Sequence, residues 1–199
     1  MAYQDWKKYE SPERWTSYFT QVDEVLSFHP GTCLEIGVGN RIVTQALKTH
    51  GIALTTLDID PALQPDTVGS VERIPSPDQS FDVVLCAEVL EHLPFEKFET
   101  CLREIARVSK AGAVLSLPHW GYTIRGILDL PIIKWRWVWK LPIARALPAG
   151  GEHQWEIGRT GHSAASVRRV IERVFVIEKE WLSPWNPYHH FYRLRKRSA

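Results

Sequence analysis

The chain has 199 residues and a mass of 22.9 kDa, with 44% hydrophobic residues and 24 basic against 23 acidic side chains. That is the size of one domain with a full core, and a net charge of +1 supplies no field for wholesale nucleic-acid binding. Three cysteines without Cys-x-x-Cys spacing argue against a zinc site or a disulfide framework. Residues 1–8 are polar and no run reaches the roughly 18 apolar residues of a spanning helix, so a soluble, cytoplasmic single domain over residues 1–199 is expected.

In chain order, Ser11-Pro12 pairs a capping residue with proline at the first helical position, and Trp15, Tyr18, Phe19, Val22, Val25 and Leu26 follow at helical spacing. This predicts an N-terminal helix within residues 1–30. Residues 32–36 read as a strand, 41–50 as a helix, and 52–57 as a second strand ended by Asp58-Ile59-Asp60-Pro61. The run 81–86 after Pro77-Asp78-Gln79-Ser80 has the unbroken apolar character of a strand covered on both faces. Phe95, Phe98, Leu102, Ile105 and Val108 mark an amphipathic helix over 94–109, and 113–117 form the next strand. A helix after Ser163 and strands at 174–181 and 190–194 complete the reading. The basic run Arg193-Leu194-Arg195-Lys196-Arg197 reads as a solvated tail.

Strands alternating with helices over 30–118 imply a parallel, doubly wound sheet, whose ligands sit at the carboxyl ends of the strands. At the first such end stands Cys33-Leu34-Glu35-Ile36-Gly37-Val38-Gly39-Asn40. Glycine there permits close backbone approach to a ligand. A nicotinamide or flavin fingerprint needs a third glycine at position 42, which is Ile42, so that reading is incomplete.

Leu34-Glu35-Ile36-Gly37-Val38-Gly39, Leu57-Asp58-Ile59-Asp60, Ser80-Phe81-Asp82-Val83-Val84 and Glu88-Val89-Leu90-Glu91-His92-Leu93, taken in this order, resemble the class I S-adenosylmethionine-dependent methyltransferases, in their type 11 methyltransferase-domain branch. Arg103-Glu104-Ile105-Ala106-Arg107-Val108 and Ala113-Val114-Leu115-Ser116-Leu117-Pro118 extend the match, which covers residues 30–120 well and the rest loosely. The resemblance implies an α/β fold, a three-layer α-β-α Rossmann-like sheet, mostly parallel with an antiparallel last strand; an aromatic insertion after the fifth strand departs from the family core. It implies S-adenosyl-L-methionine as cofactor, contacted by Glu35, Gly37, Gly39, Asn40, Asp58, Ile59, Ser70, Val71 and Glu88. Gly37 and Gly39 would pass under the amino-acid portion, with Glu35 ordering that loop. Asp58 offers two acceptor oxygens to the ribose diol, with a helix cap or turn residue as its competing role.

Ser70-Val71 stand where the family often places an acid that meets adenine, and Asn40 replaces a small residue but tolerates left-handed geometry. The chain lacks the Asn-Pro-Pro-Tyr type of sequence used on planar amides and amines, which disfavours DNA-base and glutamine methylation. Acceptor-side candidates are His119 and His153 as catalytic groups, with Glu88 and His92 beside them. For His153 and His92 the competing role is a histidine bonded to a local carbonyl. Glu88 and His92, four apart, would share a helical face, but two ligands make no metal site, and His189-His190 point to opposite faces of a strand, so metal is left out.

The insertion within 121–151 centres on Lys134-Trp135-Arg136-Trp137-Val138-Trp139-Lys140, and prolines at 131, 142 and 148 divide it into short pieces. It is expected to lie above the cleft as a lid or wall. Trp135, Trp137 and Trp139 among cations also suit a membrane interface, nucleobase stacking, or burial against the core or another subunit, the leading expectation of the three. The functional expectation is methyl transfer to a small or lipophilic acceptor by in-line displacement. The competing one is a catalytically silent cofactor-binding or assembly module on the same fold, and an oligomer is compatible with either.

Overall fold

A computed structural model describes residues 10–141, 145–148 and 151–197; the polar segment 1–8 and Pro142 lie outside the described residues. Helix α1 (Pro12–Leu26) opens as its sequence dictates: the Ser11 side chain accepts a hydrogen bond from the Arg14 N–H and proline fills the first turn. Then follow β1 (Thr32–Ile36), α2 (Ile42–Thr49), β2 (Ala53–Asp58), β3 (Thr67–Val68), β4 (Phe81–Ala87), α3 (Phe98–Val108) and β5 (Ser109–Pro118). A hairpin of β6 (Tyr122–Asp129) and β7 (Lys134–Leu141) precedes α4 (Ala164–Val174), β8 (Phe175–Leu182) and β9 (His189–Lys196).

The sheet has seven strands in the order β3-β2-β1-β4-β5-β9-β8, and β6-β7 form a separate two-stranded unit. The first five strands pair in parallel, while β9 is antiparallel to both β5 and β8. The antiparallel end is therefore the β9 pairing, with β8 at the edge. Strands β1, β4 and β5 are apolar on both faces because α1 and α2 cover one side and α3 and α4 the other. The order reverses between β1 and β4, so their carboxyl ends diverge and leave a crevice.

The structure departs from sequence expectation in three places. The segment expected to be helical from 94 begins with a tighter 3-10 turn, Phe95–Lys97, ahead of α3. The basic run at 193–197 is not a solvated tail: Leu194 is buried in β9, and Arg193 and Arg195 both donate to Glu178 of β8. The insertion forms one continuous hairpin across Pro131, because the proline sits in the turn rather than in a ladder.

Candidate functional site

At the crevice lies a cleft of about 450 Å³ lined by residues from α1, the β1–α2 loop and the ends of β2, β3, β4 and β9. All nine residues expected to touch a cofactor line it. Gly37 holds a left-handed φ of 83°, and a Cβ there would meet Val89 Cγ2 at 2.4 Å; a Cβ on Gly39, with φ of 50°, would project into open space. The first glycine thus lets the loop pack on the β4 side, and the second leaves its backbone bare toward the cleft. Asn40 is not the left-handed residue. Its Oδ1 accepts from the Ile42 N–H and its Nδ2 donates to Glu10 and to the Tyr18 hydroxyl, while Arg41 takes the left-handed turn at 65°.

Asp58 ties two strand ends together: Oδ2 accepts from the Val38 N–H at 2.8 Å and Oδ1 from the Asp60 N–H at 2.9 Å. Each oxygen keeps a lone pair for a further donor. The turn role and the ligand-facing role weighed for this residue are therefore compatible. Glu35 is buried and accepts from the Thr44 hydroxyl at 2.6 Å. Burial pushes its carboxyl up to about 7, against the opposing pull of Thr44, Arg41 and Lys48. Ile59 is exposed at the cleft edge, Ser70 accepts from the Glu72 N–H, and Val71 is buried beneath it.

At the opposite end, Glu88 takes a left-handed φ of 54°, as the chain turns out of β4. The Ser116 hydroxyl donates to its Oε1 at 2.8 Å, and its Oε2 lies 3.6 Å from His189 Nε2. Burial holds the His189 ring below the usual histidine range, against the pull of Glu88. His92 sits on the short 3-10 turn Leu90–His92 and also lines the cleft.

Residues 34–117 match the model of a methyltransferase domain. Over 167 residues the chain is 27% identical to a ubiquinone biosynthesis O-methyltransferase of Xanthomonas oryzae pv. oryzae, a match covering 76% of this chain and 66% of the relative. The chain thus spans about two thirds of the length of the curated relatives it matches. In three dimensions it is similar to the N-methyltransferase NodS of Bradyrhizobium japonicum WM9 in complex with S-adenosyl-L-homocysteine, with TM-score 0.64, 15% identity, and 97% of this chain and 92% of that one covered. It is also similar to the magnesium protoporphyrin IX methyltransferase of Synechocystis PCC 6803 with bound S-adenosylmethionine, with TM-score 0.61, 14% identity, and 93% and 80% covered. Residues 34–117 thus match a methyltransferase domain, on a fold shared with solved methyltransferases. S-adenosylmethionine, the cofactor that the sequence resemblance implies, would fit the cleft: a bare loop backbone at Gly39 lies beside a carboxylate with free acceptor capacity at Asp58.

Neither histidine expected to be catalytic in the methyltransferase lines the cleft. His119 is buried against His190, its Nδ1 3.0 Å from His190 Nδ1 and the two rings stacked. Burial, followed by His190 and Lys140, holds it down at about 3, which leaves it a poor base for an acceptor. His153 is turned toward acidic residues, with Nδ1 donating to Glu156 Oε1 at 2.9 Å. His189 takes the cleft position instead. The sequence pattern already separates His189 and His190 onto opposite faces, but the face that meets the cleft depends on β9 pairing antiparallel to β5, with Pro118 opposite His189. Arg14, Tyr18 and Gln21 on α1 also line the cleft; their helix is legible in sequence, its wall position is not.

The hairpin does not line the cleft either. Its register puts Tyr122, Ile124, Leu128, Trp135, Trp137, Trp139 and Leu141 on one face, and Arg125, Arg136, Val138 and Lys140 on the other. The basic face turns inward: Arg125 donates to the carbonyls of Pro184 and Trp185, Arg136 lies 5.2 Å from the Trp185 ring centre, and Lys140 donates to the His119 carbonyl at 2.7 Å. The tryptophans turn outward, with Trp135 61% and Trp139 68% exposed. The expected burial of these indoles against the chain's own core is thereby corrected; the cations, through carbonyl hydrogen bonds, hold the inner side.

Proposed function

We propose that this methyltransferase domain is an active enzyme that transfers a methyl group by in-line displacement to a small or lipophilic acceptor. The observation that carries the reading is the Asp58 carboxylate clamped between the Val38 and Asp60 N–H groups at the mouth of the β1–α2 loop. The bound cofactor supplies a sulfonium methyl group, already an activated electrophile. The chain's part is binding and alignment. Asp58 accepts from the ribose hydroxyls, the backbone at Gly37 and Gly39 cradles the amino-acid portion with Glu35 beneath, and Ile59, Ser70 and Val71 border the adenine. Glu88 and His189 close the opposite end, where the acceptor enters. A neutral His189 ring beside a carboxylate supports a proton-accepting role there for acceptors that must lose a proton.

The outward indoles support a second element of the reading: peripheral contact with a lipid surface, from which a lipophilic acceptor is drawn. No helix among the described residues is long and apolar enough to cross a membrane. Calorimetric titration with S-adenosylmethionine and S-adenosylhomocysteine, with NAD and flavin as controls, tests the central claim. Saturable binding of both the sulfonium and its demethylated thioether, and of neither control, is expected; binding of NAD instead would sink it.

A further inference from the structure

One cluster beside the cleft has no part in that scheme. Glu91, His92 and His153 each bring one ligand-capable atom within 4.8 Å of the others. Long-range hydrogen bonds make the cluster: Gln154 N–H donates to the Glu91 carbonyl, Gln154 Nε2 to the His92 carbonyl, and Trp155 Nε1 to the carbonyls of Leu90 and Leu93. Segment 153–155 is thus stapled onto the 3-10 turn at the end of β4, and His153 lands beside Glu91.

Glu91 has no exposed surface, and neither of its carboxylate oxygens has a hydrogen-bond partner. His153 Nε2 lies 3.9 Å from Oε1. A buried acid with no partner is costly whether charged or neutral, and a cation resolves the cost.

The two imidazoles are oriented to receive one. His92 Nδ1 donates to the Glu152 carbonyl at 3.1 Å and His153 Nδ1 to Glu156 Oε1 at 2.9 Å, so each neutral ring carries its lone pair on Nε2. A ligating histidine is commonly fixed in this way, by a carbonyl or carboxylate on its other nitrogen. Glu156 is itself fixed as the anchor, accepting from the Tyr188 hydroxyl at 2.7 Å and from Arg159 Nε at 2.9 Å.

We propose that Glu91, His92 and His153 bind one divalent transition-metal ion at the rim of the cleft. Two imidazoles and one carboxylate suit Mn2+ or Zn2+ better than the all-oxygen preference of Ca2+. Because His92 also lines the cleft, the open coordination positions face the acceptor end, where an oxygen-bearing acceptor completes the shell. That last role rests on the methyltransferase reading; the ion site does not.

The test uses full-length protein stripped with EDTA, titrated separately with Mn2+, Zn2+ and Ca2+ by calorimetry, with Mn2+ also followed by electron paramagnetic resonance. One Mn2+ or Zn2+ per chain is expected, with no saturable Ca2+ binding. Glu91→Gln, nearly isosteric, and His92→Asn, at an exposed side chain, should each weaken the ion at least about tenfold while circular dichroism reports an intact fold. No saturable Mn2+ or Zn2+ in the wild type, or unchanged affinity in whichever variant folds, overturns the site. S-adenosylhomocysteine titrated into the same samples separates the two readings: its failure to bind the wild type removes the cofactor assignment and leaves the ion result standing.

Discussion

The two ends of the cleft are built on different plans. The end proposed for the cofactor draws Glu35, Gly37, Gly39, Asn40, Asp58, Ser70 and Val71 from one stretch of chain, and its loops are held by backbone N–H groups donating to the Asp58 and Asn40 side chains. The opposite end, proposed for the acceptor, joins Glu88 after β4 to Ser116 on β5 and His189 on β9, with Glu91 and His153 beside it. Its groups are side chains, several of them buried and ionisable. A rigid end suits a fixed ligand, and an end assembled from distant segments suits an acceptor chosen by side-chain chemistry.

Breaking the clamp at the cofactor end should give the largest effect. Asp58→Ala removes the acceptor oxygens for the ribose and frees the Val38 N–H. A loss of at least about a hundredfold in S-adenosylhomocysteine affinity by calorimetry is expected, equivalent to two charge-assisted hydrogen bonds at roughly 1.5 kcal/mol each. Affinity within threefold of wild type would remove Asp58 from the site.

Next comes Gly37→Ala, which adds a left-handed strain of roughly 1–2 kcal/mol to an overpacking cost of about 1–3 kcal/mol against Val89. The double variant with Val89→Ala separates the two. It should recover the packing share of stability in urea unfolding and leave the backbone share lost. Complete recovery would mean that the φ of 83° carries no cost.

The same contrast explains what was legible in the sequence. The cofactor end could be read because each motif lies at a strand end in chain order, so glycines and acids take their places once the strands are drawn. The acceptor end could not. His119 follows β5 just as expected, yet its ring goes to His190, because pairing with β9 decides which side of the sheet is filled. His92, paired in sequence with Glu88, instead meets Glu91 and His153, and only because Gln154 and Trp155 staple a segment some sixty residues later onto residues 90–93. The hairpin's register was open to period-two reading, but which face turns outward is set by carbonyls at 119, 184 and 185.

Glu35 sharpens the comparison through pH, since it is the one deeply buried acid of the cofactor end. Its folded carboxyl, near 7, lies above the ordinary value of 4.5, so between those values the folded state binds more protons than the unfolded one. Stability is then greatest below pH 4.5 and falls as pH rises toward 7, by up to roughly 3 kcal/mol for a difference of this size. Glu35→Gln keeps an acceptor for Thr44 and cannot ionise. Urea unfolding at pH 5 and pH 8 should show the variant gaining on wild type at the higher pH, and a constant difference would place the carboxyl at its ordinary value.

The smallest effect on the cleft, and the one that separates hairpin from site, is expected for Trp135→Ser with Trp139→Ser. Both indoles are exposed and neither lines the cleft, so cofactor affinity should stay within twofold and stability within about 0.5 kcal/mol. Vesicle flotation should nonetheless fall to background, because the face presented to lipid loses two of its three tryptophans. The inward turn of Arg125, Arg136 and Lys140 adds a second expectation, opposite to that of a basic patch: their charges are engaged by carbonyls and a tryptophan ring, so wild-type flotation should change little between low and high salt. Strong salt dependence would place the contact on another surface. Wild-type protein that fails to float but sediments as a dimer, with the double variant monomeric, would assign the apolar face to a second copy of the chain.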